Sequence, residues 1–365
     1  MTKPIDLPRW VDIAVVPAVA TVAAFVVAGL VVAAIGESPL EATRILIAGS
    51  LGSAEGIGFT LYYATNFIFT GLAVAVAFHA GLFNIGAEGQ ATLGGLGAAL
   101  VCLSLDRLPT LIVVPLAIIA AAAFGALWAF VPGYLQARRG SHVVITTIMF
   151  NFLAAILSVY LLVNVIGDPK SMAPETRSFG PNAHLPFAHE LLRALGWNMP
   201  ETPLNLSFVL ALLAALGVHV LVYRSRLGYA IRTVGASQAA AVYAGISPER
   251  ITMLAMALSG ALAAGLAVNE VMGVQQHLLL EFTSGYGFVG IAVALMGRAH
   301  PLGVLLASLL FGMLYQGGAE LSFDHPAITR DMVTVIGGVL ILFAGALDGL
   351  FRRGIAGLVP RRAVI

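Results

Sequence analysis

The chain has 365 residues, of which 59% are hydrophobic and 10% charged, with a mean hydropathy of +0.95 and a net charge of +1. A soluble domain carries about 25% charged residues, so this chain has too little charge to coat a water-facing surface and reads as an integral membrane protein. Its arginines are scattered over many loops, which excludes a nucleic-acid-binding patch, and its single cysteine, Cys102, excludes a disulfide framework or a cysteine metal site.

The chain opens on "MTKPIDLPRW" and is apolar from Val11 to Gly36. That run is about twice the length of a signal-peptide core and long enough to cross roughly 30 Å of hydrocarbon, so 11–36 is read as a retained first helix. A window of about 19 residues then finds apolar segments at 57–79, 91–105, 110–132, 143–166, 204–223, 251–271, 286–297, 301–320 and 331–350. Two of these, 91–105 and 286–297, are short and rich in glycine, which suits half-helices backed by protein. The expected fold is all-α: a polytopic membrane protein of about ten transmembrane helices, with eight or nine as alternatives, forming one transmembrane domain over 1–365.

The basic residues give the expected sidedness. With the N-terminus inside, 13 of the 19 lysines and arginines fall on the cytoplasmic side, among them Arg138, Arg139, Arg224, Arg226, Arg232, Arg250 and Arg298. Only Arg44, Arg107, Lys170, Arg177, Arg193 and Arg330 fall outside, so an N-in, C-in topology is expected. Two loops are long. The outer one, 167–203, contains "NAHLPFAHELLRALGW", a candidate amphipathic helix lying along the membrane. The inner one, 223–250, reads "YRSRLGYAIRTVGASQAAAVYAGISPER".

Several chemistries are missing. Lysine occurs only as Lys3 and Lys170, neither in a Gly-Lys-Ser/Thr phosphate loop, so the chain does not cradle ATP in that way. The histidines lack metal-site spacing, no Gly-x-Ser-x-Gly elbow occurs, and neither a metal nor a cofactor is expected. Ser259, in "ALSG", is read as helix packing. Small residues four apart, Gly94/Ala98 and Gly260/Ala264, suggest closely packed helices.

The stretch "AFHAGLFNIGAEGQATLGGLGAAL", Ala77 to Leu100, places Asn84, Glu88 and Gln90 in apolar surroundings. A carboxylate at bilayer depth costs roughly 2.5–3.5 kcal/mol on insertion scales. Gly81, Gly86 and Gly89 argue for an interrupted helix, which is tolerated only where it faces protein or a water-filled cavity. Two readings stay open: these polar residues line or gate a pathway, or they hydrogen-bond the loose backbone ends of the break. "TSGYGFVGIAVALMGRAHPLG", Thr283 to Gly303, is a second glycine-rich interruption, and paired interruptions suit a transporter built from internal repeats.

"HAGLFNIGAEGQ" and "GYGFVGIAVALMGRAHPLG" resemble the permease subunits of bacterial ABC importers in the ribose/branched-chain amino acid permease superfamily, and within it the nucleoside or simple-sugar branch. The resemblance covers about 57–350. It implies a permease in the bacterial cytoplasmic (inner) membrane that works with a second homologous permease, a tandem ATPase subunit and an extracytoplasmic solute-binding lipoprotein. It also implies that the inner loop docks on the ATPase through Gly228, Arg232, Gly235, Ala239, Ala240, Tyr243, Ala244, Gly245 and Ile246. Ser237 and Val242 depart from the family pattern, in which those positions are often Asn and a charged residue.

No intramembrane cluster of Arg or Lys exists to neutralise an anion, which favours a neutral solute. The candidate path residues are Asn66, Asn84, Glu88, Gln90, Asn151, Tyr286 and Phe288; Tyr62, Tyr63, Phe67 and Phe83 are further aromatics near the breaks. The expected function is an ATP-driven nucleoside importer, with ATP hydrolysis in a partner chain. The alternatives are a simple-sugar permease of the same superfamily and an ion-coupled secondary transporter using Glu88 or Glu270.

Overall fold

The computed structural model describes residues 15–324 except 35, 195 and 198, together with positions 335, 338, 339 and 342. Apart from those four positions, the expected last span, 331–350, and the basic residues at both chain ends lie outside the described residues.

Among the described residues the regular structure is helical, with isolated bridges at Glu175/Leu279 and Phe187/Asn205. The helices are α1 (Val16–Ala34), α2 (Pro39–Leu51), α3 (Ala54–His79), α4 (Ala87–Leu105), α5 (Thr110–Arg139), α6 (Val143–Asn164) and α7 (Ala188–Ala194). They continue with α8 (Ser207–Arg224), α9 (Arg226–Ala236), α10 (Gln238–Tyr243), α11 (Pro248–Ala263) and the single turn α12 (Gly265–Ala267). A π-helix (Val268–Gln275), α13 (Tyr286–Met296) and α14 (Pro301–Asp324) follow. Six stretches are long and apolar enough to cross a membrane: 54–79, 110–139, 143–164, 207–224, 248–275 and 301–323. The protein is therefore multi-pass. Two expectations change. At 19 residues α4 is longer than the expected 91–105, because Glu88 and Gln90 belong to its first turn. The segment 251–271 is not one α-helix: α11 ends at Ala263, and the chain widens into the π-helix up to Gln275.

The contacts divide the chain into two units. In the first, comprising 1–56 and 313–365, Ser38 caps α2 by accepting from the Glu41 N–H at 3.4 Å, with Pro39 in the first turn. Gly49 of α2 and Glu320 of α14 approach closely, and Gly317 backs onto the Leu46 carbonyl.

The second unit, 57–312, contains both interruptions. Within the spans, 83% of the most apolar stretch of α3 is buried, against 28% for α5 and 22% for α6. α3 is a core helix, whereas α5 and α6 present apolar side chains such as Ile119 and Ile156 outward, as lipid-facing helices do. Small residues let the helices approach. Gly125 of α5 and Gly260 of α11 meet backbone to backbone, and Gly94 of α4 sits on Ala264. The 167–203 loop is stitched down: the Thr176 N–H donates to the Leu278 carbonyl at 2.9 Å, Phe179 to Gln276 at 2.8 Å and Leu185 to Met272 at 3.1 Å. Asp106, at the end of α4, pairs with Arg177 of that loop at 2.8 Å, and this hydrogen bond holds its carboxyl below the usual carboxylate range.

Candidate solute path and coupling surface

The first interruption begins where α3 stops. Gly81 takes φ +74°, a left-handed conformation that costs glycine little, and the Gly81 and Leu82 N–H groups close the helix end on Phe78 and Ala77 at 3.0 Å each. Asn84 then organises the break. Its Oδ1 accepts from the Gly86 N–H at 2.8 Å and from Gln90 Nε2 at 3.1 Å, while its Nδ2 donates to Gln90 Oε1 at 3.0 Å and to Ser259 Oγ at 2.8 Å. Ser259 Oγ in turn donates to the Ala73 carbonyl at 2.6 Å, so this serine does more than pack. From α6, Thr147 Oγ1 accepts from the Ile85 N–H at 3.3 Å. Asn151 brackets the same segment, accepting from the Gly89 N–H and donating to the Ile85 carbonyl, both at 2.9 Å. Asn84, Gln90, Thr147 and Ser259 are all buried. Every polar side-chain atom of Asn84, Gln90, Thr147, Asn151 and Ser259 thus has a protein partner.

Glu88 does something different. Its two oxygens accept from the Gly285 N–H at 2.9 Å and the Gly287 N–H at 2.8 Å, so the carboxylate caps the N-terminus of α13. The two interruptions meet here. Gly287 has to be glycine, because a Cβ there would collide with the Glu88 backbone. α13 has 11 residues, roughly 16 Å of helix at 1.5 Å per residue, too short to span a bilayer and suited to the half-helix expected from the sequence. The segment feeding it contains left-handed residues at Gln276, Glu281, Ser284 and Gly285.

A third polar cluster centres on the π-helix. Glu270 Oε1 accepts from Tyr62 Oη and from Asn66 Nδ2, each at 2.6 Å. The neighbouring Asn269 donates to Asn66 Oδ1 at 2.8 Å and accepts from Asn205 Nδ2 at 2.9 Å and Ser207 Oγ at 2.6 Å. All six residues are buried. On the adjoining face of α3, the rings of Tyr63 and Phe67 meet Tyr286 edge-on, with centroids 6.2 and 5.6 Å apart. Asn66 and Tyr286 thus lie in one neighbourhood, Asn84, Gln90 and Asn151 in a second, and Glu88 links the first break to α13. Phe288, 47% exposed on α13, is the candidate that stands open. Asn205, Ser207 and Asn269 were not foreseen. The first two sit at a loop–helix junction, and an Asn beside Glu270 in an apolar run was the only available signal.

The 223–250 loop forms two short helices, α9 and α10. α9 buries Ile231 and Val234 in a cluster with Ala77, Leu82, Ile251 and Met256, while Gly228 sits on the Leu221 and Val222 carbonyls. Ser225 caps it, accepting from the Gly228 N–H at 3.0 Å. Gly235 lies directly on the His79 and Ala80 backbone, so its smallness serves packing within the chain. Arg232 stands over the Tyr223 ring at 5.5 Å. α10 is capped by Ser237 and presents Ala239, Ala240 and Tyr243 outward, followed by Ala244 and Gly245. Tyr243 is 95% exposed. Gly245 has φ +74° and no neighbour within 4 Å, so its conformation, not crowding, requires glycine. Ile246 turns back into the cluster beneath α9.

A core helix, two joined interruptions at membrane depth and a short exposed helical knob define a polytopic membrane permease. The chain belongs to the family described as the branched-chain amino acid transport system / permease component, which matches residues 56–345, and it is a transport subunit of that family. It is 34% identical to the nucleoside ABC transporter permease protein NupB of Lactococcus lactis over 90% of this chain and 89% of that one. It is 35% identical to the guanosine ABC transporter permease protein NupP of Bacillus subtilis over 91% and 92%. Identity to the glucose ABC transporter permease protein TsgB13 of Haloferax volcanii is 33% over 92% and 88%.

Proposed function

We propose that this chain is the permease subunit of an ATP-driven importer of nucleosides in the bacterial cytoplasmic membrane. It forms the solute path with a second homologous permease, receives solute from an extracytoplasmic lipoprotein and draws on a separate ATPase. The observation that carries this reading is the near end-to-end likeness to permeases named for nucleosides and guanosine. The chain acts as one permease domain of about ten spans, N-in and C-in. Clustering of basic side chains supports that sidedness. Arg138, Arg139, Arg224, Arg226, Arg232, Arg250 and Arg298 lie near the ends of α5, α8, α9, α11 and α13, an end tied together by the Arg138–Glu249 ion pair at 3.0 Å and by His79 on the Ala299 carbonyl at 3.0 Å.

In this reading α10 and the turn through Gly245 enter the ATPase, Arg232 and α9 hold that knob in place, and Phe288 and Tyr286 border the solute path. Glu88, Asn84, Gln90, Asn151 and Asn66 fix the segments that carry the aromatics. A simple-sugar solute is the second reading, favoured by the glucose permease relative. The test is uptake by the reconstituted complex with labelled guanosine and labelled glucose. ATP-dependent guanosine accumulation is expected, and glucose uptake alone selects the second reading. Accumulation by this chain without any ATPase would overturn both and favour ion coupling.

A further inference from the structure

Neither the Glu88 cap nor the coupling surface uses Glu270, a carboxylate only 2% exposed in the middle of a membrane protein. No ion pair reaches it among the described residues. An intramembrane carboxylate is by default a functional group whose partners should be identified. Its partners are Tyr62 and Asn66, one turn apart on α3, and both donate to the same oxygen. Glu270 stands on a π-helix, a widened turn found mostly at functional sites. The following residues of α3, Tyr63 and Phe67, point to the adjoining face and hold the Tyr286 ring of α13. Two consecutive turns of α3 are thus gripped on one flank by Glu270 and present aromatic rings to α13 on the next. Residues one apart on a helix differ by about 100° in direction, so rotating α3 out of the Glu270 grip must displace both rings from Tyr286.

We propose that Glu270 is a positioning residue for solute passage: through Tyr62 and Asn66 it sets the rotation of α3, and hence the placement of Tyr63 and Phe67 against Tyr286. The proposal rests on the reading that Tyr286 borders the path. A glutamine offers the same Oε1 to both donors, whereas a leucine offers none, so the two substitutions separate placement from simple loss of packing.

The experiment uses the full reconstituted complex and reads guanosine moved per ATP hydrolysed, a ratio that does not change when a variant merely lowers the amount of folded protein. Glu270→Leu should lower the ratio about tenfold, the combined worth of the two ordinary hydrogen bonds it removes, with ATP hydrolysis per complex within about twofold of wild type. Tyr62→Phe keeps the ring and removes one donor, so it should lower the ratio about threefold by the same measure; it carries the test if Glu270→Leu fails to fold. Glu270→Gln should restore the wild-type ratio to within about twofold. An unchanged ratio in both Glu270→Leu and Tyr62→Phe overturns the proposal, as does Glu270→Gln as impaired as Glu270→Leu, which would assign the role to charge. Tyr286→Ala distinguishes the two levels. If it leaves the ratio unchanged, the path reading fails and the proposal with it; if it lowers the ratio while the Glu270 and Tyr62 variants do not, only the proposal fails.

Discussion

Glu88→Ala is the sharpest probe of how the two interruptions hold each other. The substitution removes both acceptors of the Gly285 and Gly287 N–H groups, the 2.9 and 2.8 Å contacts that start α13. A hydrogen bond to a charged group contributes about 1.5–3 kcal/mol, so the pair contributes about 3–6 kcal/mol before relaxation. Glu88 is half-buried, and water reaching the vacated site recovers part of this, leaving an expected loss of about 2–4 kcal/mol. Helices shorter than about 12–15 residues are marginal alone, and α13 has 11, so the loss should concentrate there. Glu88→Gln keeps one acceptor and should lose about 1–2 kcal/mol. Hydrogen exchange on the purified protein in nanodiscs reads this directly: the amides of 285–296 should exchange faster in Glu88→Ala, while those of α5 stay as in wild type. Wild-type protection at 285–296, with equal thermal stability, would refute the cap as a source of order.

Two further outcomes follow from the 223–250 loop and its surroundings. Ala240→Asp on the exposed face of α10 should leave folding intact and abolish transport-coupled ATP hydrolysis, whereas Gly235→Leu, forced against the His79 and Ala80 backbone, should reduce the amount of folded protein; equal effects of the two on folding would contradict the assignment of inward and outward faces. His300 is held below the ordinary histidine value by burial and by facing His219, with Tyr223 also against its ring. The unfolded chain therefore takes up this proton first, so the contribution of His300 is full above the ordinary value of about 6.5 and is lost as pH falls through it; thermal melts between pH 7.5 and 5.5 should show a decline that His300→Gln flattens.

Much of the fold was legible because apolar runs and glycine breaks are local signals. Composition alone places the chain in a membrane. The runs at 57–79, 143–166 and 301–320 match α3, α6 and α14 to within four residues at each end, 110–132 starts with α5 but stops seven residues short of its end, and the short run at 286–297 matches α13. The π-helix was not legible, since a one-residue widening leaves the hydrophobic pattern of 251–271 unchanged and depends on side chains from α3 and α8. The partner of Glu88 was equally hidden. It is the backbone of a segment 197 residues away, and a sequence does not mark which N–H groups a distant turn will leave unpaired. The role of Ser259 was hidden too, because a serine in a small-residue helix carries no sign of the Asn84 amide that reaches it.

The polar residues of this apolar chain follow its broken backbone. Each place where helical hydrogen bonding stops at membrane depth leaves N–H and C=O groups that lipid cannot satisfy. At 80–86 the missing partners come from Asn84, Thr147 and Asn151; at the start of α13 they come from Glu88. The π-helix is held by Tyr62, Asn66, Asn205 and Ser207 through Asn269 and Glu270. A side chain committed to a loose backbone end in the core is a poor candidate for gripping a solute that must also be released. We propose that solute contact falls instead to groups these networks place but do not use; on α13 the exposed group is the aromatic ring of Phe288. Rings bind a nucleobase face or a sugar face without a fixed set of hydrogen bonds, which suits a path that has to let its cargo go.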